Sequence, residues 1–251
     1  MRDCGRMQTG ISAVSEPIAR STSHDIVKGK KVRTGDRAKR RENMEPIRNI
    51  YCVGRNYKLH AEELGNAVPT KPMIFDKPTH ALIEAAGGEI ELPGTRGELH
   101  YETELVIHIA RPYEPGANLE QMVDQIALGI DFTLRDVQSE LKKKGHPWLL
   151  AKGFKNSAIV TAFHPFPGLD ACLQTDFALL KNGEQAQRGN IGNVIFDLMT
   201  LIQYISEHFG LEKGDIIYTG TPEGVGPVSD GDVLTFLWGD EKWGEFTARL
   251  R

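Results

Sequence analysis

Two glutamates separated by a single residue, Glu102 and Glu104, carry the most chemical content in this sequence. They fall in YETELVIHIA (101–110), whose alternation predicts a β-strand, and on a strand residues i and i+2 share a face. Two carboxylates held side by side repel unless a cation or water intervenes. By themselves they read more readily as a solvated strand face. Asp131 alters that balance. It lies in IALGIDFTL (126–134), an apolar stretch where an unpaired carboxylate is costly to bury. Three carboxylates without a nearby His or Cys cluster suit a hard cation, Mg2+ first, with Mn2+ or Ca2+ as alternatives.

Other residues add to this set. On a predicted helix over 57–64 (YKLHAEEL), His60 and Glu63 are i,i+3 neighbours. A carboxylate beside an imidazole fixes its tautomer and raises its basicity, as a general base requires; the plainer alternative is a surface His–Glu pair. Arg135 suits bidentate carboxylate binding, and Lys152 suits stabilisation of an enolate oxygen. The alternative there is a solvated charge run, above all at Lys142–Lys144. The segment GTPEGVG (220–226) is either a tight turn or a place where backbone approaches a ligand, with Thr221 offering a hydroxyl.

The elements that must position these groups are short. Strands are predicted at 49–53, 126–133, 215–219, 233–237 and 245–250, with a short helix leading into the second. The one long helix predicted, 193–209, shows Ile195, Leu198, Ile202, Ile205 and Phe209 at helical spacing and is closed by Gly210. Strand-rich with two or three helices, the chain is expected to be α+β.

Composition narrows the function classes. Hydrophobic residues form 40% and charged residues 25%, ordinary for a globular protein. The net charge of −4 gives no electrostatic reason to expect nucleic acid, and no apolar run reaches the ~20 residues that span a bilayer. Three cysteines without CxxC spacing argue against a disulfide framework and for a reducing compartment. GxGxxG, GxxxxGK[ST], GxSxG and HExxH are absent. Ser139-x-x-Lys142 matches SxxK without a KTG element.

Residues 1–43 stand apart, with 11 Lys/Arg against 5 Asp/Glu and no aromatic residue. Such a segment cannot bury enough apolar surface to order itself. It is expected to be a disordered or non-native basic extension ahead of Met44, with a mitochondrial-type targeting peptide or a nucleic-acid-binding arm as alternatives. Residues 44–251 are expected to form a single catalytic domain.

In order, CVGRNYKLHAEE (52–63), PMIFDKP (72–78), HYETELVIHI (100–109), GIDFTLRDVQ (129–138), WLLAKGF (148–154) and GDIIYTGTPEGVG (214–226) resemble the fumarylacetoacetate hydrolase family. The likeness covers about residues 46–251 and is nearest the small acylpyruvase and oxaloacetate decarboxylase-like branch. It implies a mixed β-sandwich and roll, built as a homodimer. It implies that Glu102, Glu104 and Asp131 bind Mg2+ or Mn2+, and that His60 and Glu63 activate water. Lys152 would act in catalysis, while Arg135, Gln138 and Thr221 contact the substrate. The implied activity is hydrolysis of a C–C bond in acylpyruvates such as acetylpyruvate or fumarylpyruvate, through a pyruvate enolate. Oxaloacetate decarboxylation passes through the same enolate. Alternatives are a tautomerase or isomerase of 2-oxo acids and a non-catalytic binding module. The expected partner is a small 2-oxo acid, with neither nucleic acid nor membrane. The expected location is the cytoplasm, or the mitochondrial matrix if residues 1–43 are a targeting peptide.

Overall fold

In the computed structural model, residues 46–251 are described, apart from 64 and 66. The expectation for residues 1–43 lies outside them. Short β-branched and aromatic runs broken by Gly and Pro form sixteen strands among the described residues. Eight make a sheet centred on the antiparallel pair Thr103–Ile109 and Val123–Asp131. Every residue of Thr103–Ile109 is buried, so the strand is covered on both faces. Ile50–Gly54, Met73–Lys77 and Ile216–Tyr218 lie to one side of this pair, Ala158–Val160 and Leu82–Glu84 to the other. A five-stranded sheet runs in the order Glu184–Gly189, Phe177–Lys181, Val233–Trp238, Glu241–Leu250, Ala86–Leu92. Leu99–Tyr101, Thr133–Leu134 and Gly226–Pro227 form a small third sheet.

The expected strand over 101–110 is interrupted. Leu99–Tyr101 belongs to the three-stranded sheet and Thr103–Ile109 to the eight-stranded one, with Glu102 between them. Its neighbour does the same in reverse, because Val123–Asp131 lies in the large sheet and Thr133–Leu134 in the small one. The Asp131 amide donates to the Glu102 carbonyl at 2.8 Å, so both crossovers occur side by side. Close approach here depends on Gly129, which pairs with Glu104. A Cβ on Gly129 would lie 2.6 Å from both the Ile159 carbonyl oxygen and the Tyr218 ring.

The α+β class holds, with six α-helices among the described residues where the sequence pattern anticipates two or three. Four of them have six residues or fewer, too short to print a periodicity. Leu198–Phe209 buries Leu198, Leu201, Ile202 and Ile205 at helical spacing. It starts later than expected because the Asp197 side chain caps it, accepting from the Thr200 amide. Arg135–Lys144 was not anticipated; of its ten residues only Gln138 is fully buried, so it lacks the apolar stripe that marks a helix. No helix among the described residues is long and apolar enough to cross a membrane.

Candidate active site

The crossover places Glu102, Glu104 and Asp131 together. All three are buried, at 5%, 1% and 1% exposure, and each offers an oxygen within 4.8 Å of the others. Burying three carboxylates demands compensation. Lys152, 2% exposed, donates to Glu102 at 2.7 Å and to Asp131 at 2.5 Å. The Lys77 ammonium lies 2.7 Å from Asp131 on its other side. Arg135 pairs with Glu102 and donates to the Gln138 side chain at 3.0 Å. Glu104 has no cationic partner among the described residues; one of its oxygens accepts from the Gly220 amide at 2.6 Å.

These surroundings separate the carboxyl groups. Burial opposes ionisation of Glu102, yet Lys152 and Arg135 hold it well below the usual carboxylate range. Burial and the charges of Asp131 and Glu102 push Glu104 well above that range. Glu104 is therefore the group whose ionisation calls for an additional cation. A set of clustered carboxylate oxygens with such a deficit fits a hard divalent ion. Nearby, the buried Arg135 Nε has no hydrogen-bond partner among the described residues, as suits a group that faces a ligand.

His60, Arg135, Gln138, Lys152 and Thr221 line one cavity with the three carboxylates, so eight of the nine residues singled out in the sequence converge. Glu63 stands behind them. Its carboxylate lies 3.6 Å from His60 Nδ1 and accepts from the Gly224 amide at 3.2 Å. Burial lowers the His60 pKa, with Arg135 acting the same way and Glu102 and Glu63 opposing it. The imidazole is neutral near pH 7, the form that accepts a proton.

Comparison with known proteins fits this geometry. The family model for the fumarylacetoacetate (FAA) hydrolase C-terminal region matches residues 49–251. The chain belongs to the fumarylacetoacetate hydrolase family. It is 39% identical to oxaloacetate tautomerase YcgM of Escherichia coli (strain K12), over 76% of this chain and 88% of that protein. It is 40% identical to the mitochondrial oxaloacetate decarboxylase of Dictyostelium discoideum, again over 76% and 88%. Among solved structures it resembles fumarylpyruvate hydrolase from Pseudomonas aeruginosa in complex with Mn2+ and pyruvate. That match has a TM-score of 0.76 at 33% identity, covering 82% of this chain and 91% of the other.

Within this family member, three residues not marked by sequence pattern hold the site in place. Lys77 anchors Asp131 while donating to the carbonyls of Phe132 and Ser157 and to the Ser157 hydroxyl, each at 3.1 Å. A lysine ending the apolar strand MIFDK was the available signal. Asn56 is wholly buried; its side chain joins the Thr219 carbonyl to both backbone groups of Phe196. Gln187 accepts from the Thr103 amide at 2.8 Å and donates to the Thr221 hydroxyl at 2.9 Å and the Pro222 carbonyl at 3.0 Å. It thus ties the glycine-rich turn to the residue between Glu102 and Glu104. Its strand, EQAQRG, carries no pattern that marks it.

Proposed function

We propose that this protein is a divalent-cation-dependent enzyme that interconverts the keto and enol forms of oxaloacetate or a close 2-oxo acid. The observation that carries this proposal is the buried triad Glu102, Glu104 and Asp131 facing the same cavity as a neutral His60. The likeness to a protein named oxaloacetate tautomerase supports the choice of substrate.

A Mg2+ or Mn2+ ion held by the triad would supply Lewis acidity towards the carboxylate and 2-oxo oxygens of the substrate. His60 takes a proton from C3. The electron pair forms the C2–C3 double bond, and negative charge moves to the C2 oxygen. Lys152 is kept protonated against its burial by Asp131 and Glu102, so a fixed positive charge stands at the triad where that oxygen becomes anionic. The imidazolium then gives up its proton to that oxygen, directly or through solvent, which completes the enol and returns His60 to its neutral form. Glu63 stabilises the imidazolium formed on the way.

Hydrolysis of an acylpyruvate is the second activity the site supports, favoured by the likeness to fumarylpyruvate hydrolase. There His60 would take its proton from a water that adds to C4, and cleavage of C3–C4 would leave a pyruvate enolate beside Lys152. Loss of CO2 from oxaloacetate leaves the same enolate. The deciding experiment supplies oxaloacetate and acetylpyruvate with Mg2+ or with EDTA, following enol absorbance and pyruvate together. Tautomerisation predicts Mg2+-dependent relaxation of the enol signal faster than the spontaneous rate, without matching pyruvate release. Pyruvate released in step with substrate loss would replace it with cleavage, and no acceleration of either would refute both.

A further inference from the structure

Four cationic side chains line the cavity: Arg55, Arg135, Lys142 and Lys152. Two are committed, Lys152 to Glu102 and Asp131, and Arg135 to Glu102. Arg55 and Lys142 have no carboxylate partner among the described residues. Lys142 instead sits over the Trp148 ring, 5.1 Å from its centroid. It is half-buried, whereas Lys143 and Lys144 beside it are exposed and Lys143 pairs with Glu140. Arg55 adopts φ +58°, a left-handed conformation uncommon for a side chain of this size.

Charge counting gives these two residues a purpose. Lys77, Lys152 and Arg135 are all engaged by Glu102 and Asp131, and Glu104 is the group left for a divalent ion. Arg55 and Lys142 are then surplus positive charge in the same cavity, a state that costs stability without an anion. Burial first, then Arg55 and Arg135, bring the Lys142 pKa down to about 8, against the opposing pull of Glu102; Lys152 adds to the lowering. Lys142 is protonated at pH 7 yet held at a cost that an incoming anion would relieve.

We propose that Arg55 and Lys142 form a subsite for a second carboxylate, selecting 2-oxo dicarboxylic acids over 2-oxo monocarboxylic acids. This rests on the 2-oxo acid assignment above and adds the residues that read the far end of the substrate. The Arg55 guanidinium provides paired N–H donors, and the Lys142 ammonium provides a point charge seated on Trp148.

The test measures binding of oxaloacetate and of pyruvate to the full chain with Mg2+, by calorimetry at pH 7. It compares wild type with Lys142→Met, Arg55→Gln and Lys142→Arg. Lys142→Met and Arg55→Gln should each weaken oxaloacetate at least about tenfold more than pyruvate, the scale of one charged hydrogen bond. Lys142→Arg should retain the preference. In wild type the preference should fade as pH rises through about 8, when Lys142 loses its proton. Lys142→Met should also raise the melting temperature without ligand, which separates a binding defect from misfolding. Equal weakening of both ligands, or none, would overturn the subsite while leaving the 2-oxo acid assignment intact. Failure of wild type to bind either ligand would overturn both.

Discussion

The Gly220 amide donates a 2.6 Å hydrogen bond to the carboxylate of Glu104, joining the glycine-rich turn directly to the triad. Gly220 holds φ +107°, and a Cβ there would lie 2.6 Å from the Cβ of Asn56. The turn therefore needs glycine on two counts, conformation and space. Gly220→Ala should cost about 1–3 kcal/mol or more and lower the affinity for Mg2+. Denaturant unfolding and a metal titration would check this; a stable variant with unchanged affinity would contradict it.

Glu104→Gln and Asp131→Asn should behave in opposite ways without metal. Glu104 is pushed towards its protonated form, so an amide replaces it at little cost. Asp131 offsets Lys77 and Lys152; its loss leaves the buried Lys77 ammonium with neutral oxygen partners and Lys152 with Glu102 alone, a change of about 3–5 kcal/mol. Melting in EDTA should therefore be near wild type for Glu104→Gln and strongly lowered for Asp131→Asn. Adding Mg2+ should raise the melting temperature of wild type and not of Glu104→Gln.

The pH profile should carry the signature of His60. Its pKa is lowered by burial, so the neutral base persists below pH 6.5, and the acid limb of kcat/KM should lie below that value. Glu63 acts to raise this pKa, so Glu63→Gln should move the limb to still lower pH. Stability follows the same sign. As pH falls through 6.5 the unfolded chain takes up the proton before the folded one does, and the fold loses this contribution. A limb that stays fixed in Glu63→Gln would show that another group governs the profile.

Gln187 is a positioning residue with two directions of grip, one on Thr103 and one on Thr221 and Pro222. Gln187→Leu leaves the buried Thr103 amide unpaired and should cost about 1–3 kcal/mol. Because the turn also carries Gly220, Mg2+ affinity should fall with it. Equal Mg2+ affinity in a destabilised variant would assign Gln187 to the fold alone.

The triad was legible because its residues violate their surroundings: acids on an apolar strand and within an apolar run. The supporting residues were less visible. Lys142–Lys144 read as one charge run, and only the phase of the helix Arg135–Lys144 turns the first of them into the cavity. No side-chain cap fixes the start of that helix, so its phase could not be read from sequence. Gln187 comes from a different sheet from the strand it grips, and no local pattern records a partner 84 residues away. The sheet change at Glu102 was likewise hidden, because alternation continues unbroken across it.

That sheet change has a mechanical meaning. Glu102 and Asp131 sit on the seam between two hydrogen-bonded ladders, so the spacing of their oxygens is set by how the sheets meet as much as by rotamers. Phe132, beside Asp131, packs edge-on against Phe246 of the five-stranded sheet, with ring centroids 6.3 Å apart. The seam is thus braced by an aromatic contact whose two rings lie outside the lining of the cavity. Trimming Phe132 or Phe246 would change cation affinity from a distance, making the coordination geometry a gauge of how tightly the core is assembled.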